Sequence, residues 1–171
     1  MDIVEFLMKH RRWAKSCLRT NIAAPDQMAY RGKLKVVLME SEVVGQRDRL
    51  LKQAIQDIAP EWWDDETQIT INRNVTCQKH RDGNNGHSYL LWLGDFTGGA
   101  LLFEDGTRIE EKYKWHKFDG QNAHWNEPHE GTKYGIVLYK GSGKIKKTAV
   151  ILNKRKEAAE KALNLNHTEN I

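Results

Sequence analysis

Five of the seven histidines lie between positions 80 and 129: His80, His87, His116, His124 and His129. Imidazole is the commonest metal ligand in proteins, so this clustering raises the prospect of a metal site. Within it, His80-Arg81-Asp82 is the one His-x-Asp of the chain. On extended backbone, side chains two apart share a side, so this imidazole and carboxylate can grip one ion from one strand end. A two-histidine, one-carboxylate face then needs a second histidine from a distant strand. His124 lies 42 residues beyond Asp82, and Lys133 stands nine residues beyond His124 at the opening of an apolar strand. A cation there could hold the far carboxylate of a small diacid whose other end sits on the metal. His129 competes for the role of second histidine, but the Lys133 spacing fits His124 better. His87 and His129 otherwise read as polar loop residues, and His116 as a packing or surface residue on a strand.

Helices, then strands, must position these groups. Residues 2–19 carry apolar Ile3, Phe6, Leu7, Trp13, Ala14 and Leu18 at roughly helical spacing, with Asp2 as a cap. Asn21 to Pro25 reads as a break, and Leu34 to Met39 as a short strand. Asp48 to Ile58 predicts a second amphipathic helix with Pro60 just past its end. From Gln68 onward the pattern changes to short strands: Ile69 to Val75, Ser88 to Leu93, Ala100 to Phe103, Lys114 to Phe118 and Tyr134 to Tyr139. Gly94-Asp95-Phe96-Thr97-Gly98-Gly99 reads as a turn, as does Glu104-Asp105-Gly106. Short strands separated by Gly, Asp and Asn turns predict a β-sandwich or jelly roll. Residues 154–163 predict a charged C-terminal helix. The expected organisation is one domain over 1–171: a supporting region 1–67, a β core 68–140 and a basic tail 141–171.

Composition narrows the classes. The 171 residues are 39% hydrophobic and 29% charged, which excludes a disordered chain and allows a core without disulfides. No apolar run reaches the roughly 18 residues of a membrane span. The start places acids before the apolar stretch and bases after it, the reverse of a secretory signal, so an intracellular, soluble protein is expected. Cys17 and Cys77 fit neither a disulfide scaffold nor a zinc-thiolate site. Net charge is +4, and from Lys140 to Ile171 eight Lys and Arg stand against three acids. Such a tail is either a solvated helix or an electrostatic footprint for nucleic acid. Trp13, Trp62, Trp63, Trp115 and Trp125 are compatible with either core packing or base stacking.

His80-x-Asp82, then Gly98-Gly99-Ala100-Leu101-Leu102-Phe103, then His124 with Pro128 and Gly131-Thr132-Lys133-Tyr134, resembles the Fe(II)/2-oxoglutarate-dependent dioxygenases over roughly residues 68–140. The resemblance implies an α+β fold: a double-stranded β-helix (jelly roll) core with flanking N-terminal helices and a C-terminal helix. It implies His80, Asp82 and His124 as iron ligands. Lys133, helped by Thr132, would pair with the 5-carboxylate of 2-oxoglutarate, and Asn72 and Asn74 would hydrogen-bond the cosubstrate. Fe(II), 2-oxoglutarate and O2 are then the cofactor and cosubstrates, with ascorbate a candidate reductant. The reaction implied is hydroxylation of a C–H bond with release of succinate and CO2. Asn84-Asn85, Ser88, Gly94-Asp95-x-x-Gly98-Gly99 and Phe118-Asp119-Gly120 are more loosely similar to the oxygenases of DNA pyrimidine 5-methyl groups (the TET/JBP group). That likeness implies 5-methylcytosine or thymine in nucleic acid as substrate. Lys133 departs from it, since a bidentate arginine is usual there and lysine offers only a point charge. Prolyl or lysyl hydroxylation of a peptide is the alternative, and an inactive jelly-roll binding protein is a third.

Overall fold

A computed structural model describes residues 1–11, 13–15, 28–30, 46–141 and 155–163. The chain divides into two units, Met1–Lys140 and Gly141–Ile171. The first holds α1 (Ile3–Lys9), β1 (Ala14–Lys15), β2 (Met28–Tyr30), α2 (Gln46–Ile58), β3 (Thr67–Arg73), β4 (Asn85–Gly98) and β5 (Leu101–Phe103). It continues with β6 (Arg108–Ile109), β7 (Trp115–Phe118), β8 (His124–Asn126) and β9 (His129–Lys140). The described part of the second unit is a helix, α3, over 155–163.

The first unit is mixed α+β with antiparallel sheets. A six-stranded sheet runs β1-β2-β3-β9-β4-β7, and a three-stranded sheet runs β6-β5-β8. Side chains alternate across the long strands, and the large sheet is apolar on both faces. Ile69 and Ile71 of β3, Leu91 and Leu93 of β4, and Tyr134, Ile136 and Leu138 of β9 pack with Phe6 and Leu7 of α1 and Leu51 and Ile55 of α2. The alternate residues Leu90, Trp92 and Phe96 of β4 pack with Leu101 and Phe103 of β5, Ile109 of β6 and Phe118 of β7. The helices therefore cover one face of the large sheet and the small sheet covers the other. Among the described residues, no helix is long and apolar enough to cross a membrane.

Several local expectations change. The helix expected over 2–19 stops at Lys9. Asp2 caps it as expected, accepting from the Glu5 N–H at 3.1 Å. His10 then turns extended. The Trp13 indole donates to the His10 carbonyl and stacks on Tyr134, 5.9 Å between centroids, while Ala14 and Lys15 pair with β2. Packing on the sheet outweighs helical periodicity there. Residues 16–19, the break at 21–25 and the strand at 34–39 lie outside the described residues. The turn expected over 94–99 is instead the end of β4, paired with β9 from Gly94↔Lys133 to Gly98↔His129. A continuous ladder of backbone hydrogen bonds outweighs the turn preference of its glycines. Four of the five tryptophans, Trp13, Trp62, Trp63 and Trp115, are half-buried against the helix-side core. Trp125 differs: it alternates with His124 and Asn126 on β8 and carries the Lys79 ammonium 5.5 Å from its ring centroid.

The central strand β9 should dominate stability. Ile136 is 0% exposed within the helix-side core. Ile136→Ala should cost about 2–5 kcal/mol in urea unfolding, with little change in the denaturant slope.

Candidate metal centre

His80 lies in the segment that leaves β3, and His124 opens β8. The two form an isolated antiparallel bridge. Each backbone N–H donates to the other's carbonyl at 3.0 Å. The rings consequently meet with centroids 4.3 Å apart. Two residues on, the Asp82 N–H donates to the Gly120 carbonyl at 2.7 Å, which brings its carboxylate in beneath both rings. His124 Nε2 is 3.3 Å from Asp82 Oδ2, and His80 Nε2 is 3.3 Å from Oδ1. One ligand atom from each of the three lies within 4.8 Å of the others, so the group can hold a metal ion.

The surroundings orient each donor. His80 Nδ1 is 2.7 Å from the Gln78 carbonyl, and His124 Nδ1 is 2.7 Å from the Asn122 carbonyl. A carbonyl only accepts, so each Nδ1 carries the hydrogen and each Nε2 presents its lone pair to an incoming ion. Phe103 and Phe118 pack on the His124 ring at 5.5 and 6.0 Å. Burial pushes the Asp82 pKa up, but when the ion is absent and His124 and His80 are protonated, their Nε2–H groups donate to the carboxylate, outweigh burial and hold the carboxyl well below the usual range; an incoming ion takes the place of those Nε2 protons. Asp82 is therefore ionised, as a metal ligand must be. Gly120 is buried, and a Cβ there would lie 2.8 Å from Asp82 Oδ2 and 3.0 Å from its Cβ. The missing side chain of Gly120 is what admits Asp82.

Lys133 is 1% exposed, on the face of β9 turned toward the small sheet. Its Nζ sits 4.8 Å from the Trp92 ring centroid and donates to the Gly99 carbonyl at 3.4 Å. Among the described residues no carboxylate pairs with it. Burial lowers its pKa from 10.5 to about 8. Asn74, at φ 56°, takes the Lys133 N–H on its Oδ1 at 2.8 Å and returns its own N–H to the Lys133 carbonyl at 2.8 Å. Asn74 thus clamps the backbone of Lys133 through its Oδ1 and its backbone N–H. Asn72 pairs with Gly135 on β9, so alternation puts its side chain on the same face as that of Lys133. Thr132 is exposed and alternates to the opposite face, which separates it from the ammonium it was expected to assist. His87 packs between Trp62 and Tyr89, and His116 Nε2 meets the Glu111 carbonyl, so neither joins the site. Sequence reasoning noted Gly120 only within the Phe118-Asp119-Gly120 motif, with no role beside Asp82, and missed Asn126. Asn126 exchanges two hydrogen bonds with the backbone of Cys77, at 3.0 and 3.1 Å, and anchors the strand that leads to His80. Only a three-dimensional pairing reveals either.

Two outcomes are expected. Gly120→Ala should weaken metal binding by roughly 10- to 100-fold in a competition titration, because Asp82 must retreat. Lys133 has a folded pKa below its unfolded one, so the unfolded chain binds more protons between about pH 8 and 10.5. The burial cost is therefore full below about pH 8 and is relieved as pH rises. Lys133→Met should be at least as stable as wild type at neutral pH, and the difference should shrink in urea melts toward pH 10.

Neither a scan of protein-family models nor a search of curated proteins finds a match to this chain.

Proposed function

We propose that the protein is an Fe(II)/2-oxoglutarate-dependent dioxygenase that hydroxylates a C–H bond. The reading is carried by one combination: a two-histidine, one-carboxylate face, and, on a neighbouring strand, a buried lysine that has no carboxylate partner among the described residues. Three protein ligands leave three positions open on an octahedral ion, and that donor set suits Fe(II). A buried ammonium without a counter-ion is costly, and the far carboxylate of a diacid would satisfy it. The proposed fold is a double-stranded β-helix. In its support, the chain alternates between sheets from β3 onward. β3, β4, β7 and β9 belong to the large sheet, while the His80 bridge, β5 with β6, and β8 fall to the small one.

When bound, Fe(II), 2-oxoglutarate and O2 supply the oxidative decarboxylation to succinate and CO2 and the transfer of oxygen to the C–H bond. The protein's part is orientation. The carbonyls of Gln78 and Asn122 set the imidazole tautomers, Gly120 gives Asp82 its place, and Asn74 and Trp92 hold Lys133. Phe103 and Phe118 form an apolar wall against His124 that keeps water from that side.

The proposed site of oxidation is the 5-methyl of a pyrimidine in nucleic acid. Its support is charge: the basic excess after Lys140, and Lys79 and Arg81, the exposed neighbours of His80, which share the single acid Glu104. Peptide hydroxylation is the second reading. The packing of four tryptophans into the core favours it, since those rings are taken from base stacking.

The test is succinate formation with Fe(II), 2-oxoglutarate and O2, with and without DNA containing 5-methylcytosine. Turnover stimulated by that DNA, an added oxygen on the base, and affinity that falls steeply with salt are expected. Asp82→Ala should abolish turnover. Full activity in that variant would sink the assignment, and turnover indifferent to DNA would favour the peptide reading.

A further inference from the structure

His129 opens β9 opposite Gly98, four residues before Lys133. Both side chains flank Gly99. A Cβ on that glycine would lie 3.0 Å from His129 Cβ, 2.9 Å from Lys133 Cδ and 3.1 Å from Lys133 Nζ. Gly99 is therefore bare where the root of the His129 side chain and the Lys133 ammonium meet. The Nδ1 of His129 is buried and, among the described residues, has no hydrogen-bond partner. A buried ring nitrogen left unpaired is uncommon in native structures and calls for a partner. Burial first, then the charge of Lys133, lowers the His129 pKa, which keeps the ring neutral with one N–H to donate.

A carboxylate has two oxygens to satisfy, and an arginine fork would take both at once. Lys133 is a point charge and brings no fork. We infer that His129 completes the grip: its Nδ1–H donates to one oxygen of the distal carboxylate of 2-oxoglutarate while Lys133 neutralises the other. Two residues four apart on one strand then do the work of a single arginine. The inference rests on the dioxygenase reading above. Lys133 and His129 Nδ1 are both covered, so the diacid enters with movement of a covering group.

The test is equilibrium binding of 2-oxoglutarate to the full chain loaded with Mn(II), followed by calorimetry. His129→Leu keeps volume and loses the donor, and should weaken 2-oxoglutarate roughly tenfold. His129→Asn places an amide N–H near the Nδ1 position and should recover most of that loss. Mn(II) affinity measured without the diacid should be unchanged in both. In the wild type loaded with diamagnetic Zn(II) in place of Mn(II), the imidazole nitrogen signals of His129 should shift in NMR spectra when 2-oxoglutarate is added. Unchanged diacid affinity in His129→Leu, an equal loss of Mn(II) affinity, or unmoved His129 signals would each overturn the inference and leave the reading standing. Mn(II) binding by the wild type with no binding of 2-oxoglutarate would overturn the reading itself.

Discussion

Two backbone hydrogen bonds, each 3.0 Å, join His80 to His124 and make the site possible. They pair one residue just beyond the large sheet with the first residue of a strand in the small one. Everything near the candidate metal centre follows from that bridge. It brings the imidazoles together edge to face, sets Asp82 against the carbonyl of Gly120, and leaves both Nε2 atoms facing one carboxylate. Neither strand end could do this alone, because the reach of a side chain is short compared with the spacing between sheets. The bridge is supported from two sides. Asn126 ties β8 to Cys77 ahead of His80, and Phe103 and Phe118 pack on the His124 ring behind it.

The large sheet provides the rigid support. It is buried on both faces, by helices on one and by the small sheet on the other, so β4 and β9 are held firmly. A strand fixed in this way can carry an unfavourable group. Lys133 is such a group: an ammonium under the surface, on an indole face, with a long hydrogen bond to one carbonyl and no acid among the described residues. Burial of this kind is tolerated where function demands it, and a ligand carboxylate is the chemistry that would relieve it. The rest of the sheet offsets the cost through packing around Ile71, Ile136 and Leu138, all fully buried.

Local chemistry was legible in the sequence where it depended on adjacent residues. His-x-Asp on extended backbone needs only the alternation of side chains to predict a shared side. His124 could be selected because Lys133 follows at the opening of an apolar strand. Both of those histidines and Asp82 do meet. What depended on contacts from afar was not legible. Asn74 clamps the backbone of Lys133 from a positive φ, and no local pattern announces that pairing. Thr132 beside Lys133 suggested cooperation, although strand alternation sends the two apart. The glycines of 94–99 signalled a turn, and a long ladder with β9 overrode them. Trp13 fitted a helical stripe, but the sheet captured it through Tyr134 and ended α1 early. In each case a tertiary contact won over a weak local preference.

In the proposed dioxygenase, one metal ion and one diacid share a site built on the His80–His124 bridge. The most direct measurement is an anaerobic Mn(II) titration of the full chain by electron paramagnetic resonance, without and with 2-oxoglutarate. One ion per chain is expected, bound more tightly when the diacid is present, since each ligand then holds the other. No bound ion, or an affinity that 2-oxoglutarate leaves unchanged, would contradict it.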